Sequence, residues 1–224
     1  MGMNNEECGR WIAFDLETFA IEDVPAYLEP VKAPANYKDP EKIAAYIQEG
    51  TAKAVRDAAL DIDLARIIAL GQQDDDMSAP AAWFIEDERQ ERLMLQNFWS
   101  GIKASTRLIG FRIRTYDLPL MMRRSQLLGV AYPEISLDKY RTRQVVDLYD
   151  VLTFHGTVDG KSLDTYCRRF GIDAPDAITG KDVAERMLAG DLDAILDHAK
   201  ADVSQVVQLA HRLSVIRPVL TEVA

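Results

Sequence analysis

The stretch Trp11-Ile12-Ala13-Phe14-Asp15-Leu16-Glu17-Thr18 limits what this chain can fold into more than any other. A continuous apolar run of this length reads as a buried strand in a sheet covered on both faces. Side chains alternate along a strand, so Asp15 and Glu17 share one side while Leu16 points back into the protein. Two carboxylates held together on a rigid strand repel each other unless a cation lies between them. An oxygen-only donor set of this kind suits Mg²⁺ or Mn²⁺. Taken alone, the pair also reads as the exposed end of a core strand, so its meaning depends on what the rest of the chain brings to it.

The chain has 224 residues, 48% of them hydrophobic, enough for one substantial core. The expected organisation is a single domain over residues 11–216 with a helical insertion at about 20–63. Residues 1–10 and 217–224 are expected to be tails. The polar, acidic start lacks the pattern of a signal peptide, and no run approaches the ~20 apolar residues of a membrane span. Cys8 and Cys167 form no disulfide framework. A cytoplasmic protein with no membrane partner is expected, and the oligomeric state is left open.

A net charge of −10 argues against a uniformly basic nucleic-acid binder. The charge is uneven, however. Nine basic residues fall between Lys103 and Arg143 (Lys103, Arg107, Arg112, Arg114, Arg123, Arg124, Lys139, Arg141 and Arg143) against three acids. Such a segment reads either as a phosphate-facing track or as solvated helix faces.

After the first strand, Pro25, Pro30, Pro34 and Pro40 keep the chain extended or turning. Asp39-Pro40 reads as an N-cap followed by proline at the first helical position. Ile43, Ile47, Val55 and Ala59 then recur at helical spacing and predict a packed face, with Gly50 a point of bending or breakage. A second strand is expected over Arg66–Gly71 and a third over Ala81–Ile85, antiparallel across a solvated turn that includes Asp74, Asp75 and Asp76. Asp87 caps a helix with an inward stripe of Leu95, Phe98, Trp99 and Ile102. A fourth strand, Arg107–Phe111, leads to Asp117 at a strand-to-helix junction, in a helix ended by Gly129. A fifth is expected at Val145–Leu148. Asp147, Asp150 and Asp164 read as strand-end or first-turn acids outside the site.

Asp191 caps a last long helix, on which His198 and Asp202 are spaced i, i+4 and lie on one face. As an isolated feature this reads as a surface pair. His211 falls on a different face and reads as a satisfied packing or surface histidine, and His155 as exposed.

Together these give Asp15-x-Glu17, Asp117, then His198-x-x-x-Asp202. This order resembles the DEDD superfamily of 3′→5′ exonucleases (DnaQ-like), in its histidine-bearing DEDDh form. FDLET resembles the first motif, GFRIRTYDLP the second and HAKADV the third, and the likeness runs from Trp11 to about Leu213. The surrounding residues are similar to stand-alone relatives of DNA polymerase proofreading domains. Two positions depart from many of those relatives, which carry Asn at the place of Arg112 and Tyr at the place of His198.

The resemblance implies an α/β, ribonuclease H-like fold, with a central five-stranded mixed sheet flanked by helices. It implies release of nucleoside monophosphates from the 3′ end of single-stranded DNA or RNA, DNA favoured, with a polymerase or repair protein as a conceivable partner. The implied cofactors are two divalent cations, Mg²⁺ or Mn²⁺, which in such sites activate a water and stabilise the leaving oxygen. Asp15 would bridge both ions. Glu17 and Asp202 would complete the ion holding the water, and Asp117 would serve the ion at the leaving oxygen. His198, with an ordinary pKa of ~6.5, suits a general base. Thr18 and Phe19 stand where the family contacts the terminal nucleotide, and Phe111 and the arginines around it, Arg112 among them, are expected to contact a base face or phosphates. Two other readings remain open at this point: an endonuclease of the wider ribonuclease H-like fold, and a non-catalytic nucleic-acid-binding module.

Overall fold

The leading apolar run becomes β1 (Trp11–Ala20), the middle strand of a five-stranded sheet. The computed structural model describes residues 10–140, 143–173, 178–180 and 182–216. Both expected tails, apart from Arg10, lie outside the described residues, as do Cys8 and Arg141. The remaining strands are β2 (Ala65–Asp74), β3 (Ala81–Phe84), β4 (Arg107–Gly110) and β5 (Val145–Asp147). Their order is β3-β2-β1-β4-β5, with β2 and β3 antiparallel and β4 and β5 parallel to their neighbours. The mixed α/β sheet expected from the sequence is the one observed.

Seven helices are described: α1 (Pro40–Asp57), α2 (Glu88–Ser100), α3 (Asp117–Leu128), α4 (Leu148–Leu152), α5 (Leu163–Arg169), α6 (Val183–Ala189) and α7 (Leu192–Arg212). Strand alternation sorts β1 between two cores. Ile12, Phe14 and Leu16 join Leu95, Phe98, Leu118 and Met121 on the α2/α3 side, and Ala13 joins Val203, Val206 and Ala210 of α7 on the other. Asp15 and Glu17, in phase with Ala13, therefore face α7.

The pairing of β1 is unequal on its two edges. It runs with β2 from Ile12 to Ala20, but with β4 only at Trp11, Ile12 and Ala13. Beyond Ala13 the edge toward β4 is open, and this seam holds the acidic half of β1.

A buried ion pair fastens the α2/α3 side. Arg124 of α3 donates through Nε and Nη2 to the two oxygens of Glu91, at 2.8 and 2.7 Å, and Glu91 also accepts the Ile67 amide. Arg114 is likewise buried, donating to Asp150 and to the carbonyls of Leu137 and Val145. The basic track thus loses two members to structural roles, because each guanidinium finds a carboxylate distant in sequence.

Several local expectations are corrected. β2 continues to Asp74, since Gln72, Gln73 and Asp74 pair with Phe14, Ala13 and Ile12. Asp74 is consequently buried at a strand end, where Arg10 donates to it at 2.8 Å, rather than sitting in a solvated turn. In the insertion, α1 is capped by Asp39 as expected but buries no residue fully, and Ile47 is exposed. Only its end is anchored, with Val55 packed on Ala20, Val24 and Ala58. Gly50 does not break α1. A Cβ there would come within 2.7 Å of Val31, so glycine admits the preceding segment. His155 is exposed, as expected, while the Nδ1 atom of His211 is buried and has no hydrogen-bond partner among the described residues, so it does not read there as the satisfied histidine expected.

The approach of α7 to the sheet depends on Gly71, the partner of Asp15 across β1 and β2. A Cβ at Gly71 would lie 2.5 Å from the Ala199 carbonyl oxygen. Gly71→Ala should push α7, which carries His198 and Asp202, off the sheet. The expected loss is about 1–3 kcal/mol in chemical denaturation, the range of an overpacked core. Wild-type stability would show that α7 does not depend on this contact.

Candidate active site

Each predicted site residue has a definite support. Asp15 and Glu17 are fixed on the central strand, and Glu17 is buried. Asp117 opens α3 as its first residue, not as its N-cap, and is also buried. The backbone amides of Leu16 and of Asp117 itself lie near enough to hold its carboxyl pKa down, which places it beside β1 in the seam. His198, buried on α7, sets Nε2 3.5 Å from Glu17 Oε1 and Nδ1 3.9 Å from Asp202 Oδ1. The imidazole therefore lies between two carboxylates from different elements, with Asp202 the more exposed of them at 24%.

The electrostatics record the same convergence. Loss of hydration first, and then the charges of Asp202, Asp117 and Glu17, push the Asp15 carboxyl well above the usual carboxylate range. Burial pushes Asp117 up to about 7, and the nearby charge of Asp147 adds to this, against the two backbone amides that hold it down. The structure thus gathers Asp15, Glu17, Asp117, His198 and Asp202 in one neighbourhood of the seam.

That neighbourhood is not a closed cage. Among the described residues, the one trio of potential ligands whose atoms all lie within 4.8 Å of one another is Asp74, Asp75 and Asp76. That trio already has Arg10 against it, with contacts of 2.8, 3.6 and 3.8 Å to its three carboxylates. The seam carboxylates stand farther apart than these. A cavity of about 450 Å³ opens elsewhere, beside Arg10, Leu70, Trp83, Leu93 and Phe98, and none of the five seam residues lines it.

The residues expected to contact nucleotide divide. Thr18 and Tyr116 both place their hydroxyls 2.7 Å from the Ala59 carbonyl and 3.1 Å from each other, tying the insertion to the first and second motifs. Burial pushes Tyr116 up to about 12, so it remains a donor. Phe19 packs toward Ile68, Val183 and Ile195, and Phe111 packs edge-on against Tyr149 and Tyr166. Arg112 is exposed, has φ of 64°, and lays its guanidinium 4.1 Å from the Tyr149 ring centre.

Two positions escaped the sequence reading. Tyr116 was visible only as the neighbour of Asp117. Asp147 was visible as a strand-end acid, which it is, but it is buried and accepts amides from the loop that carries the second motif. Nothing local in Val145-Val146-Asp147 announces a partner so far back along the chain.

No curated protein matches the chain. Among solved structures, the family B DNA polymerase from the hyperthermophilic archaeon Pyrobaculum calidifontis superposes with a TM-score of 0.61 over 92% of this chain at 19% identity. The likeness is one of fold, and this chain spans 24% of that polymerase's length. A family model described as a predicted 3′-5′ exonuclease related to the exonuclease domain of PolB matches residues 59–224, which include Asp117, His198 and Asp202, while Asp15 and Glu17 precede the matched segment. By that match, which covers more than half of its length, the chain belongs to the predicted 3′-5′ exonucleases related to the exonuclease domain of PolB.

Proposed function

We propose that this protein shortens single-stranded nucleic acid from the 3′ end, releasing nucleoside monophosphates, with DNA preferred to RNA. The observation that carries the reading is the convergence of Asp15, Glu17, Asp117 and Asp202 on one seam, with His198 between Glu17 and Asp202. The relation of the family to a DNA polymerase exonuclease domain supports DNA as the preferred polymer.

The donor set fits hard divalent cations, because it is built of carboxylate oxygens, with Asp15 raised by burial and then by the charges of Asp202, Asp117 and Glu17. Asp15, Glu17, Asp117 and Asp202 would hold a pair of Mg²⁺ or Mn²⁺ ions. Such ions, when bound, supply charge neutralisation at the scissile phosphate and a more acidic attacking water. His198 takes the proton of that water, and the imidazolium so formed is stabilised by Glu17 and Asp202 on its two sides. Asp117, beside the Leu16 amide, fixes the far side of the seam. Rigid placement of these groups on a central strand and two helix segments keeps the reacting geometry without reorganisation at each turnover.

Digestion of 5′-labelled single-stranded DNA with Mg²⁺ or Mn²⁺ tests the activity. A ladder shortening from the 3′ end is expected, abolished by Asp15→Ala and slowed on the order of 100-fold or more by His198→Ala, the usual scale of general-base loss. Internal cuts would indicate an endonuclease instead. Retention of DNA without cleavage would indicate a binding module.

The metal-free protein offers a second test. An acid whose folded pKa exceeds its unfolded value destabilises the fold once ionised, so Asp117 should cost stability as pH rises from 3.8 through about 7. In chelator, the melting temperature of Asp117→Asn minus that of wild type should grow across that window. Mn²⁺ should shrink or reverse the difference. A difference independent of pH would show that burial does not penalise the ionised Asp117 in this way.

A further inference from the structure

Asp147 closes β5 beside the last residue of β4, with Gly110 its partner in the register. It is 2% exposed, and both carboxylate oxygens are engaged by backbone. Oδ1 accepts the Arg112 amide at 2.8 Å and the Tyr149 amide at 3.0 Å, and Oδ2 accepts the Arg114 amide at 3.0 Å. The loop it clamps is unusual. Arg112 adopts φ of 64°, a left-handed conformation that disfavours a long side chain. In this conformation its carbonyl accepts the amides of Thr115 and Tyr116 at 3.0 and 3.3 Å, and the Ile113 carbonyl accepts the Leu118 amide at 2.9 Å. These bonds turn the chain out of β4 and start α3 at Asp117. Gly110 lets the turn fold back tightly, since a Cβ there would lie 2.2 Å from Ile113 Cγ2.

Nothing in the side chain of Arg112 favours this backbone, and the pairing of its guanidinium with Tyr149 fixes only the outer end. The two amides held by Asp147 are what select it. A carboxylate is suited to the task because it accepts from two directions at once and donates nothing.

We propose that Asp147 is a positioning residue of the exonuclease site, which sets the second motif and, through it, the place of Asp117 against β1. The inference rests on the functional reading above but concerns a residue that touches neither substrate nor ion in it. Asp147 bonds the loop, the loop bonds the first turn of α3, and Asp117 in that turn lies beside the Leu16 amide. Loss of the clamp should let Arg112 relax toward negative φ and displace Asp117 from the seam.

Two substitutions separate geometry from charge. Asp147→Asn has the same size but one acceptor oxygen, so its amide group opposes a backbone N–H. Asp147→Glu keeps the charge but moves the carboxylate by one methylene. Mn²⁺ binding to each folded variant is measured without substrate, from the electron paramagnetic resonance signal of the free ion, and DNA digestion is measured separately. Both variants should bind Mn²⁺ on the order of 10–100-fold more weakly than wild type, the scale found when outer groups orienting metal ligands are lost. The KM for DNA should change little while kcat falls. A general loss of stability would lower the folded yield and leave Mn²⁺ affinity of the folded fraction unaltered, and that result in either variant overturns the proposal. An inactive wild type that still binds Mn²⁺ in a manner dependent on Asp147 would overturn the exonuclease reading and leave the positioning role standing.

Discussion

Repulsion between carboxylates that cannot move apart is the constraint on which the rest depends. Asp15 and Glu17 are fixed by β pairing to β2, Asp117 by its buried place at the start of α3, and Asp202 by the helix that packs on Gly71. Separating them would require breaking the sheet or lifting α7. The cost appears in the acids themselves: burial and then the charges of Asp202, Asp117 and Glu17 raise Asp15, while burial and the charge of Asp147 raise Asp117. A fold that keeps such a group has a use for it, because apolar replacements would be easier to bury. The same reasoning separates the seam from Asp74, Asp75 and Asp76. There the carboxylates come closer together, but Arg10 lies against them and no comparable demand for a cation remains.

The seam exists because two strands part. β4 stops at Gly110 while β1 continues to Ala20, so the edge of β1 toward β4 has no strand partner there beyond Ala13. Ligand sites at the carboxyl ends of diverging parallel strands are a general feature of open α/β sheets. Here the divergence is built from the tight turn at Gly110, the left-handed Arg112, the buried Asp147 of β5 and Asp150 of α4. Asp147 and Asp150 hold the backbone and the guanidinium of Arg112–Arg114 on one side, and the hydroxyls of Thr18 and Tyr116 gather the insertion on the other. The insertion is thus fastened near the carboxylates although most of α1 is exposed.

The sequence displayed the parts of this site that follow from periodicity. Asp15 and Glu17 were legible because a strand has a period of two, and His198 and Asp202 because a helix brings i and i+4 together. Asp117 was legible from its place between an apolar strand and a proline-bearing helix start. What escaped depends on partners far along the chain. Arg114 and Arg124 look like surface cations until Asp150 and Glu91 are brought to them. Gln72 to Asp74 look like a turn because polar residues seldom extend a buried strand, yet β1 supplies them with partners. The stripe on α1 suggested a packed face, but only the part near Val55 meets the domain. Gly50 looked like a weak point, and its reason is the side chain of Val31.

The most direct test is a crystal structure of the protein grown with Mn²⁺, with the ions located by anomalous scattering. Peaks should lie in the seam, each in contact with oxygens drawn from Asp15, Glu17, Asp117 and Asp202, with the imidazole of His198 close by. Peaks confined to Asp74, Asp75 and Asp76, or an Asp117 turned away from ions held by the other three, would contradict the account.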